Sequence, residues 1–247
     1  MKAMVLAAGL GTRLRPLTDD RPKALVEIGG RTLLEITLTR LRSFGVNEVI
    51  VNVHHFADKV IAYLRDHQNF GMRIEISRED DLLDTGGGLK QAAPFFLMGD
   101  NSDPQPFILH NVDVISTIDL ARMVQAHRDT NALATLAVQD RKTSRYLLFN
   151  RRMELCGRRA ANQEPELSRP AEDLQPLAFA GIHVISPRLL PMLTETGAFS
   201  IITSYLRLAA HGESIRALRA DDVYWRDLGR PESLSLAEQE MKQHGLM

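Results

Sequence analysis

The chain has 247 residues, of which 44% are hydrophobic and 25% are charged, and its formal net charge at pH 7 is -1. This composition is typical of a soluble globular protein, and it provides no global positive field for nucleic acid or anionic lipid. The single cysteine, Cys156, excludes an intrachain disulfide and a cysteine-based zinc cluster, which suits a reducing cytoplasm. No apolar window of about 18 residues is present, so we expect no membrane span.

The most informative stretch covers residues 6–23. An apolar run over residues 3–8 stops at Gly9, which is how a buried parallel strand ends at a loop. Gly9 and Gly11 lack a Cβ, so the turn can adopt positive φ and bring its backbone N–H groups against phosphate oxygens. Guanidinium forks and compact ammonium groups both suit phosphate. The cations that follow are Arg13, Arg15, Arg21 and Lys23.

Two other phosphate-binding motifs do not match this stretch. A P-loop requires Gly-x-x-x-x-Gly-Lys-Ser/Thr, which is absent. A dinucleotide fingerprint requires a third glycine where Leu14 stands. It also requires an acidic residue near the end of the second strand, where the chain has Asn52, Val53 and His54.

The rest of the chain alternates strand and helix patterns. Strands are predicted over residues 48–53, 72–77 and 106–110, and Thr32 and Glu35 form a capping box that opens a helix. This order predicts an α/β fold: a doubly wound, mostly parallel Rossmann-like sheet with helices on both faces. Residues 146–150 and 153–156 add a small β-hairpin. We expect one domain over residues 1–247, with the polar residues 160–176 as a flexible insertion.

Three loops are predicted to meet at one edge of this sheet. Ligands of open α/β sheets bind outside the carboxyl ends of the strands, and Gly9, Gly86 and Asp113 all follow such ends. The glycines at positions 86–88 precede a helical pattern that starts at Leu89, and they allow backbone to approach a flat ligand such as a nucleobase. A flexible turn explains these glycines equally well. A second acid, Asp227, precedes the last predicted helix, where a helix cap is the ordinary explanation.

These segments together resemble the motifs of the sugar-1-phosphate nucleotidyltransferases. The first group is Gly9-Leu10-Gly11-Thr12-Arg13, Pro16-Leu17-Thr18 and Pro22-Lys23. The others are Leu83-Asp84-Thr85-Gly86-Gly87-Gly88, Asn111-Val112-Asp113, Phe179-Ala180-Gly181-Ile182 and Trp225-Arg226-Asp227-Leu228-Gly229. The chain is similar to short, single-domain N-acetylmuramate-1-phosphate uridylyltransferases and mannose-1-phosphate guanylyltransferase-like members. Val112 departs from the family pattern Asn-Gly-Asp, and a β-branched residue disfavours positive φ at this turn.

The resemblance implies a Mg²⁺-dependent enzyme that joins a nucleoside triphosphate, with UTP favoured, to a sugar 1-phosphate, giving an NDP-sugar and pyrophosphate. It implies catalytic roles for Arg13 and Lys23, and metal-ligand roles for Asp113 and Asp227. The nucleotide-binding residues expected from it are Ala8, Gly9, Gly11, Thr12, Arg13, Thr85, Gly86 and Gly87. The sugar-phosphate-binding residues expected are Lys23, Asn111, Arg145 and Gly181.

Several alternatives stay open. Within the family, the chain could have the activity of a mannose-1-phosphate guanylyltransferase or of a glucose-1-phosphate thymidylyltransferase. It could also be a catalytically silent regulatory protein that binds a nucleotide sugar. A cytidylyltransferase acting on phosphocholine would favour an aromatic cage, and the chain has only 4 tyrosines and 1 tryptophan. Cations cluster between residues 141 and 159, but Tyr146 and Phe149 are the only aromatic residues there for base stacking. We therefore expect no nucleic acid partner, and we expect Arg145 to reach a sugar phosphate.

Overall fold

The computed structural model describes residues 1–98, 105–161 and 163–243. The first seven strands are β1 Lys2–Leu6, β2 Glu27–Ile28, β3 Arg31–Thr32, β4 Glu48–Val53, β5 Arg73–Arg78, β6 Phe107–Asn111 and β7 Val114–Ser116. The others are β8 Ala134–Gln139, β9 Arg145–Phe149, β10 Leu155–Ala160, β11 Glu166–Leu167, β12 Gln175–Ile185, β13 Ile215–Arg219 and β14 Trp225–Asp227. The α-helices are α1 Leu33–Ser43, α2 Ala57–Asp66, α3 Asp84–Gln91, α4 Ala93–Leu97, α5 Leu120–Asp129, α6 Ile201–Ala210 and α7 Pro231–Gln243.

A 10-stranded sheet forms the centre of the fold. Strands β6, β1, β4 and β5 lie side by side and are parallel, as the alternating pattern predicts. The long strand β12 then pairs antiparallel with both β6 and β8, and β8 pairs parallel with β13. The start of β12 pairs with β9, which leads to the hairpin partner β10. The predicted α/β class is confirmed, with a mixed, mostly parallel sheet and a small hairpin.

Both faces of the sheet are covered by helices. Side chains alternate along β1, so that Val5 joins one apolar cluster and Met4 joins the other. The first cluster includes Leu38 of α1 and Met123 of α5, and the second includes Tyr205 of α6. The two-sided burial explains why the central strands are nearly continuous apolar runs. None of the helices in the described ranges combines the length and the apolar character needed to span a bilayer.

Local signals set several element boundaries. The Thr32 hydroxyl accepts a hydrogen bond from the Glu35 N–H at 3.0 Å, so the predicted cap opens α1. Gly45 follows α1 with a φ of 78°, a conformation that glycine adopts without strain. Pro231 occupies the first turn of α7, where a missing N–H costs nothing.

The expected flexible insertion contains a short strand. Residues Glu166–Leu167 pair antiparallel with β10, opposite Gly157 and Arg158. A Cβ on Gly157 would lie 2.4 Å from the Glu166 carbonyl oxygen, so this close pairing requires glycine. The polar composition of residues 160–176 did not reveal the strand, because its two residues carry no alternating pattern. This part of the segment is therefore sheet edge rather than irregular loop.

Acid is expected to destabilise the fold through buried histidines. Desolvation lowers the pKa of His110 to about 4, of His127 to about 4 and of His183 to about 3. In the unfolded chain these pKa values return to about 6.5. The fold therefore keeps its full stability above about pH 6.5. It loses stability as the pH falls towards the pKa values of the folded state, because protonation then favours the unfolded chain. Each histidine then costs about 1.4 kcal/mol of unfolding free energy per pH unit.

Urea denaturation at pH 7, 6 and 5 measures this effect. We expect the free energy of unfolding to fall steadily over that range. We also expect a shallower fall in a His183→Gln variant, because one titrating group is removed. An unfolding free energy that is constant between pH 7 and pH 5 would contradict the prediction.

Candidate active site

The glycine loop after β1 folds back on the residues that follow it. Gly11 has a φ of 65° and opens a short 3-10 turn over Thr12–Leu14. A Cβ on Gly11 would lie 3.0 Å from Thr18 Cγ2 and 3.2 Å from Lys23 Cβ. The Thr18 hydroxyl donates to the Gly11 carbonyl at 2.9 Å, which fixes this approach. The loop therefore holds its glycine motif directly against Lys23.

Lys23 faces one of the two predicted acids. Its ammonium group forms an ion pair with the Asp113 carboxylate, and the side chains are only 11% and 21% exposed. Asp113 lies in the turn between β6 and β7, at the carboxyl edge of the sheet. The ion pair through Oδ2 compensates the partial desolvation of both charges.

The second acid reaches the same place through a two-stranded ribbon. Strands β7 and β14 pair antiparallel, with Asp227 opposite Val114. The Leu228 N–H donates to the Asp113 carbonyl at 2.8 Å, which ties the two acidic turns together. The Asp227 carboxylate accepts from the Gly229 N–H at 2.6 Å. Acids that lie far apart in the chain thus belong to one site.

Gly229 marks the point where the charged side chains meet. A Cβ placed there would lie 2.7 Å from Asp227 Oδ1, 3.1 Å from Arg13 Nη2 and 3.3 Å from Lys23 Nζ. The structure therefore brings together Arg13, Lys23, Asp113 and Asp227. These side chains come from three separate segments of the sequence, because Arg13 and Lys23 share the stretch over residues 6–23. Their combination of cations and carboxylates suits a reaction between anions.

Adding a methyl group at Gly229 is expected to displace this charged cluster. The Gly229→Ala substitution should lower turnover by about 10²-fold, because a shift of about 1 Å in reacting groups has that effect. The melting temperature should change little, since the added Cβ meets flexible side-chain ends rather than backbone. Steady-state kinetics with thermal denaturation measures both values. Turnover within twofold of the wild type would contradict the prediction.

Two clefts open on either side of the cluster. The first cleft has a volume of about 460 Å³ and the second about 640 Å³. The first cleft is lined by Leu6, Ala7, Ala8, Gly9, Lys23, Asn52, Glu79, Leu82, Asp84, Thr85, Asn111, Val112, Asp113 and Ala198. The second is lined by Arg13, Asn111, Val114, Arg141, Thr143, Ser144, Arg145, Phe179, Gly181, Trp225, Arg226, Asp227, Arg230 and Ser233. Asn111 lines both clefts and so lies between them.

The glycines of the predicted base-binding segment lie in a helix rather than in an open turn. Helix α3 begins at Asp84 rather than at Leu89, so the glycines are helical and buried. The N–H groups of Gly86 and Gly87 donate to the Phe199 carbonyl at 2.8 and 3.3 Å. A Cβ on Gly86 would lie 2.3 Å from the Phe199 ring. These glycines allow α3 to pack on the Phe199 segment, and Asp84 and Thr85 are the residues of this motif that line the first cleft.

Sequence reasoning missed a polar pair in the floor of the first cleft. The Asn52 amide donates to Glu79 Oε1 at 2.7 Å and accepts from the Ala7 N–H at 2.7 Å. Glu79 Oε2 accepts from the Leu83 N–H at 3.0 Å. A Cβ on Gly88 would lie 2.7 Å from Glu79 and 2.9 Å from Asn52. An asparagine inside the apolar strand β4 was the available signal.

Val112 does not distort the turn before Asp113. Its φ is not among the positive values, so the β-branched side chain is unstrained. The side chain is buried, and the Val112 N–H donates to the Leu6 carbonyl at 3.1 Å. This hydrogen bond continues the pairing of β6 with β1 by one residue. The replacement of glycine therefore leaves Asp113 at the site.

The carboxylates fit a hard cation that shares its ligands with substrate. Among the described residues, no group of three or more His, Cys, Asp or Glu side chains could hold a metal ion. Asp113 and Asp227 offer carboxylate oxygens at the cluster. Mg²⁺ prefers oxygen ligands, keeps several waters and is often held by one or two carboxylates with substrate phosphates. This donor set fits such an ion and does not form a complete protein cage.

The fold and the cluster together define a class of protein. A glycine loop, converging cations and paired carboxylates lie at the carboxyl edge of an α/β sheet, between two clefts. This edge is where α/β enzymes bind their ligands. The arrangement is that of an enzyme that brings two anionic substrates together.

Comparison with known proteins identifies the family. The nucleotidyl transferase family model matches residues 2–244, and the chain belongs to this family. An N-acetylmuramate alpha-1-phosphate uridylyltransferase of Caulobacter vibrioides is 35% identical, with 96% of this chain and 95% of the relative covered. A mannose-1-phosphate guanyltransferase of Yarrowia lipolytica is 28% identical over 94% of this chain and 61% of its own length.

A solved structure supports the fold independently. HddC from Yersinia pseudotuberculosis, complexed with GMP-PN, superposes with a TM-score of 0.74 at 20% identity. The match covers 97% of this chain and 99% of that protein. Together these findings confirm the family resemblance drawn from the motifs, and the chain is a nucleotidyltransferase.

Proposed function

We propose that the protein joins UTP and a sugar 1-phosphate to give a UDP-sugar and pyrophosphate, in a Mg²⁺-dependent reaction in the cytoplasm. The observation that carries the proposal is the convergence of Arg13, Lys23, Asp113 and Asp227 at Gly229, between the two clefts. Two clefts that share Asn111 suit two substrates that react with each other.

The substrate choice is supported by the relative from Caulobacter vibrioides. That protein is named for N-acetylmuramate alpha-1-phosphate and uridylyl transfer, and it matches nearly the full length of this chain. We propose UTP and N-acetylmuramate 1-phosphate as the first pair to test. GTP with mannose 1-phosphate is the second pair, because guanyltransferases match 94% of the chain at 28% identity.

In the proposed reaction, an oxygen of the sugar phosphate attacks the α-phosphorus of UTP. A new bond forms between that oxygen and the α-phosphorus, and the bond from the α-phosphorus to the bridging oxygen breaks to release pyrophosphate. The attacking phosphate is already ionised at pH 7, so no general base is required. Positioning and charge stabilisation supply the rate enhancement.

The chain's own residues divide these tasks. The first cleft, with Ala8, Gly9 and Thr85 in its lining, holds the nucleotide. Lys23 lines this cleft beside the reacting phosphates, and Arg13 extends from the glycine loop to neutralise pyrophosphate. Asp113 and Asp227 would hold Mg²⁺, which supplies charge neutralisation at the phosphate oxygens when it is bound.

Pyrophosphate release tests the proposal. Purified protein with Mg²⁺ is assayed with UTP, dTTP, GTP, CTP and ATP, each against the 1-phosphates of N-acetylmuramate, mannose and glucose. We expect the highest rate with UTP and N-acetylmuramate 1-phosphate. A higher rate with GTP and mannose 1-phosphate, or with dTTP and glucose 1-phosphate, would replace the proposed pair. Nucleotide binding without turnover in any pair would favour the silent regulatory protein.

A further inference from the structure

An arginine in the second cleft has an unusual environment. Arg141 lies in the loop between β8 and β9, and its guanidinium carbon lies 3.9 Å from the centroid of the Trp225 ring. Its Nη2 group donates to the Phe179 carbonyl at 2.8 Å. Stacking and hydrogen bonding together fix the plane of the guanidinium before any ligand binds.

The same platform supports the wall of the cleft. Trp225 Nε1 donates to the Ala180 carbonyl at 2.7 Å, next to the carbonyl that Arg141 binds. These carbonyls precede Gly181, which has a φ of 77° in the irregular part of β12. A Cβ on Gly181 would lie 3.1 Å from Asn111 Nδ2. Arg141 and Trp225 therefore support the backbone that lies against Asn111.

The charge of Arg141 is poorly compensated. Its side chain is partly buried, and desolvation lowers the pKa of the guanidinium while Asp227 raises it. Its Nε atom is buried and has no hydrogen-bond partner. Among the described residues, no carboxylate forms an ion pair with Arg141, whereas the neighbouring Arg226 pairs with Glu240. Binding an anion would offset the desolvation cost that Arg141 carries.

We infer that Arg141, held on Trp225, is the principal ligand of the sugar-phosphate anion in the second cleft. The inference rests on the proposed function, since the second cleft is then the acceptor site. It replaces Arg145 in the role that the sequence suggested, because Arg145 is exposed and its guanidinium is not stacked on an aromatic ring. Trp225 acts as a positioning residue, because it orients Arg141.

Three glutamine variants test whether Arg141 or Arg145 binds the sugar phosphate. Arg141→Gln removes the stacked guanidinium, Arg145→Gln removes the exposed one, and Arg158→Gln is a matched control from an exposed pair with Glu166. With the best substrate pair, Arg141→Gln should raise the KM for sugar 1-phosphate at least about tenfold, as expected for a lost charged hydrogen bond. The KM for the nucleotide should stay within twofold. Arg158→Gln should leave both values unchanged.

Direct binding of inorganic phosphate gives a second readout that needs no turnover. Calorimetry should show one phosphate site fewer, or a site at least about tenfold weaker, in Arg141→Gln than in Arg158→Gln. Arg141→Lys should give an intermediate phosphate affinity, because an ammonium group keeps the charge but lacks the planar pair of donors of a guanidinium. If Arg141→Gln fails to fold, Arg141→Lys takes its place in the comparison. Trp225→Phe should weaken phosphate binding less than Arg141→Gln does.

The outcomes distinguish the two proposals. Unchanged phosphate affinity in Arg141→Gln, or a loss seen only in Arg145→Gln, would overturn the inference. An equal rise in the KM for nucleotide and for sugar 1-phosphate would assign Arg141 a purely structural role and also overturn it. If the wild type turns over no substrate pair but phosphate binding still depends on Arg141, the proposed function fails and the anion site stands.

Discussion

Replacing either acid of the cluster by asparagine is expected to lower turnover by about 10³-fold. Asp113→Asn and Asp227→Asn keep the side-chain shape but remove a negative charge and a hard oxygen ligand. In Asp227→Asn the amide oxygen can still accept from the Gly229 N–H, as the carboxylate does, so the local turn should persist. Removing one preorganised electrostatic contact typically costs about 10²–10³ in rate. The rate of pyrophosphate release, measured at the Mg²⁺ concentration that just saturates the wild type, gives the effect.

Asp129→Asn is the matched control for these variants. Asp129 is exposed at the end of α5 and accepts a hydrogen bond from Gln125. Its substitution should leave the rate within twofold of the wild type. Near-normal rates in Asp113→Asn or in Asp227→Asn would contradict a site built on both carboxylates. A rate that recovers at high Mg²⁺ concentration would show weakened cation binding and would support it.

Removing the ammonium group of Lys23 is expected to lower kcat/KM by about 10²–10³-fold. Lys23→Met keeps the aliphatic stem that packs beside Gly11, but it leaves the Asp113 carboxylate, 21% exposed, without its ion-pair partner. The cation that we propose to stabilise the reacting phosphates is lost at the same time. Steady-state kinetics with each substrate varied in turn measures the loss.

Lys59→Met is the control for Lys23→Met. Lys59 is exposed, its ammonium group lies 5.2 Å from the centroid of the Phe56 ring, and the group donates to the Asp20 backbone carbonyl rather than to a carboxylate of the cluster. It should keep a kcat/KM close to that of the wild type. If Lys23→Met also kept a kcat/KM within threefold of the wild type, Lys23 would have no role in the reaction.

The sequence predicted the parts of this fold that depend on local chemistry. The Thr32 cap and the apolar strand before Gly9 both follow from short patterns. The simultaneous pairing of β12 with β6, β8 and β9 was not predicted. Strand pairing depends on contacts between distant segments, and alternation along one strand does not specify its neighbours.

In the site, too, the residues that local patterns indicate could be predicted, and the contacts between distant segments could not. The loop cations and Asp113 could be found because they follow strand ends. Asp227 could be found because it lies in the segment Trp225–Gly229, which resembles a family motif. The helical state of Gly86 could not, because glycine disfavours helix and only the contact with Phe199 explains its presence there. The hydrogen bond between Asn52 and Glu79 joins β4 to the residue that follows β5 at the floor of the first cleft. Such pairs are visible only when the fold is known.

Product analysis tests the central claim most directly. Wild-type protein is incubated with UTP, N-acetylmuramate 1-phosphate and Mg²⁺, and the products are quantified by mass spectrometry. We expect equal amounts of a UDP-sugar and pyrophosphate from the wild type, and about 10³-fold less of both from Asp227→Asn in the same time. Release of phosphate from UTP without a UDP-sugar would contradict transfer to a sugar phosphate. Products formed equally by Asp227→Asn would contradict the proposed site.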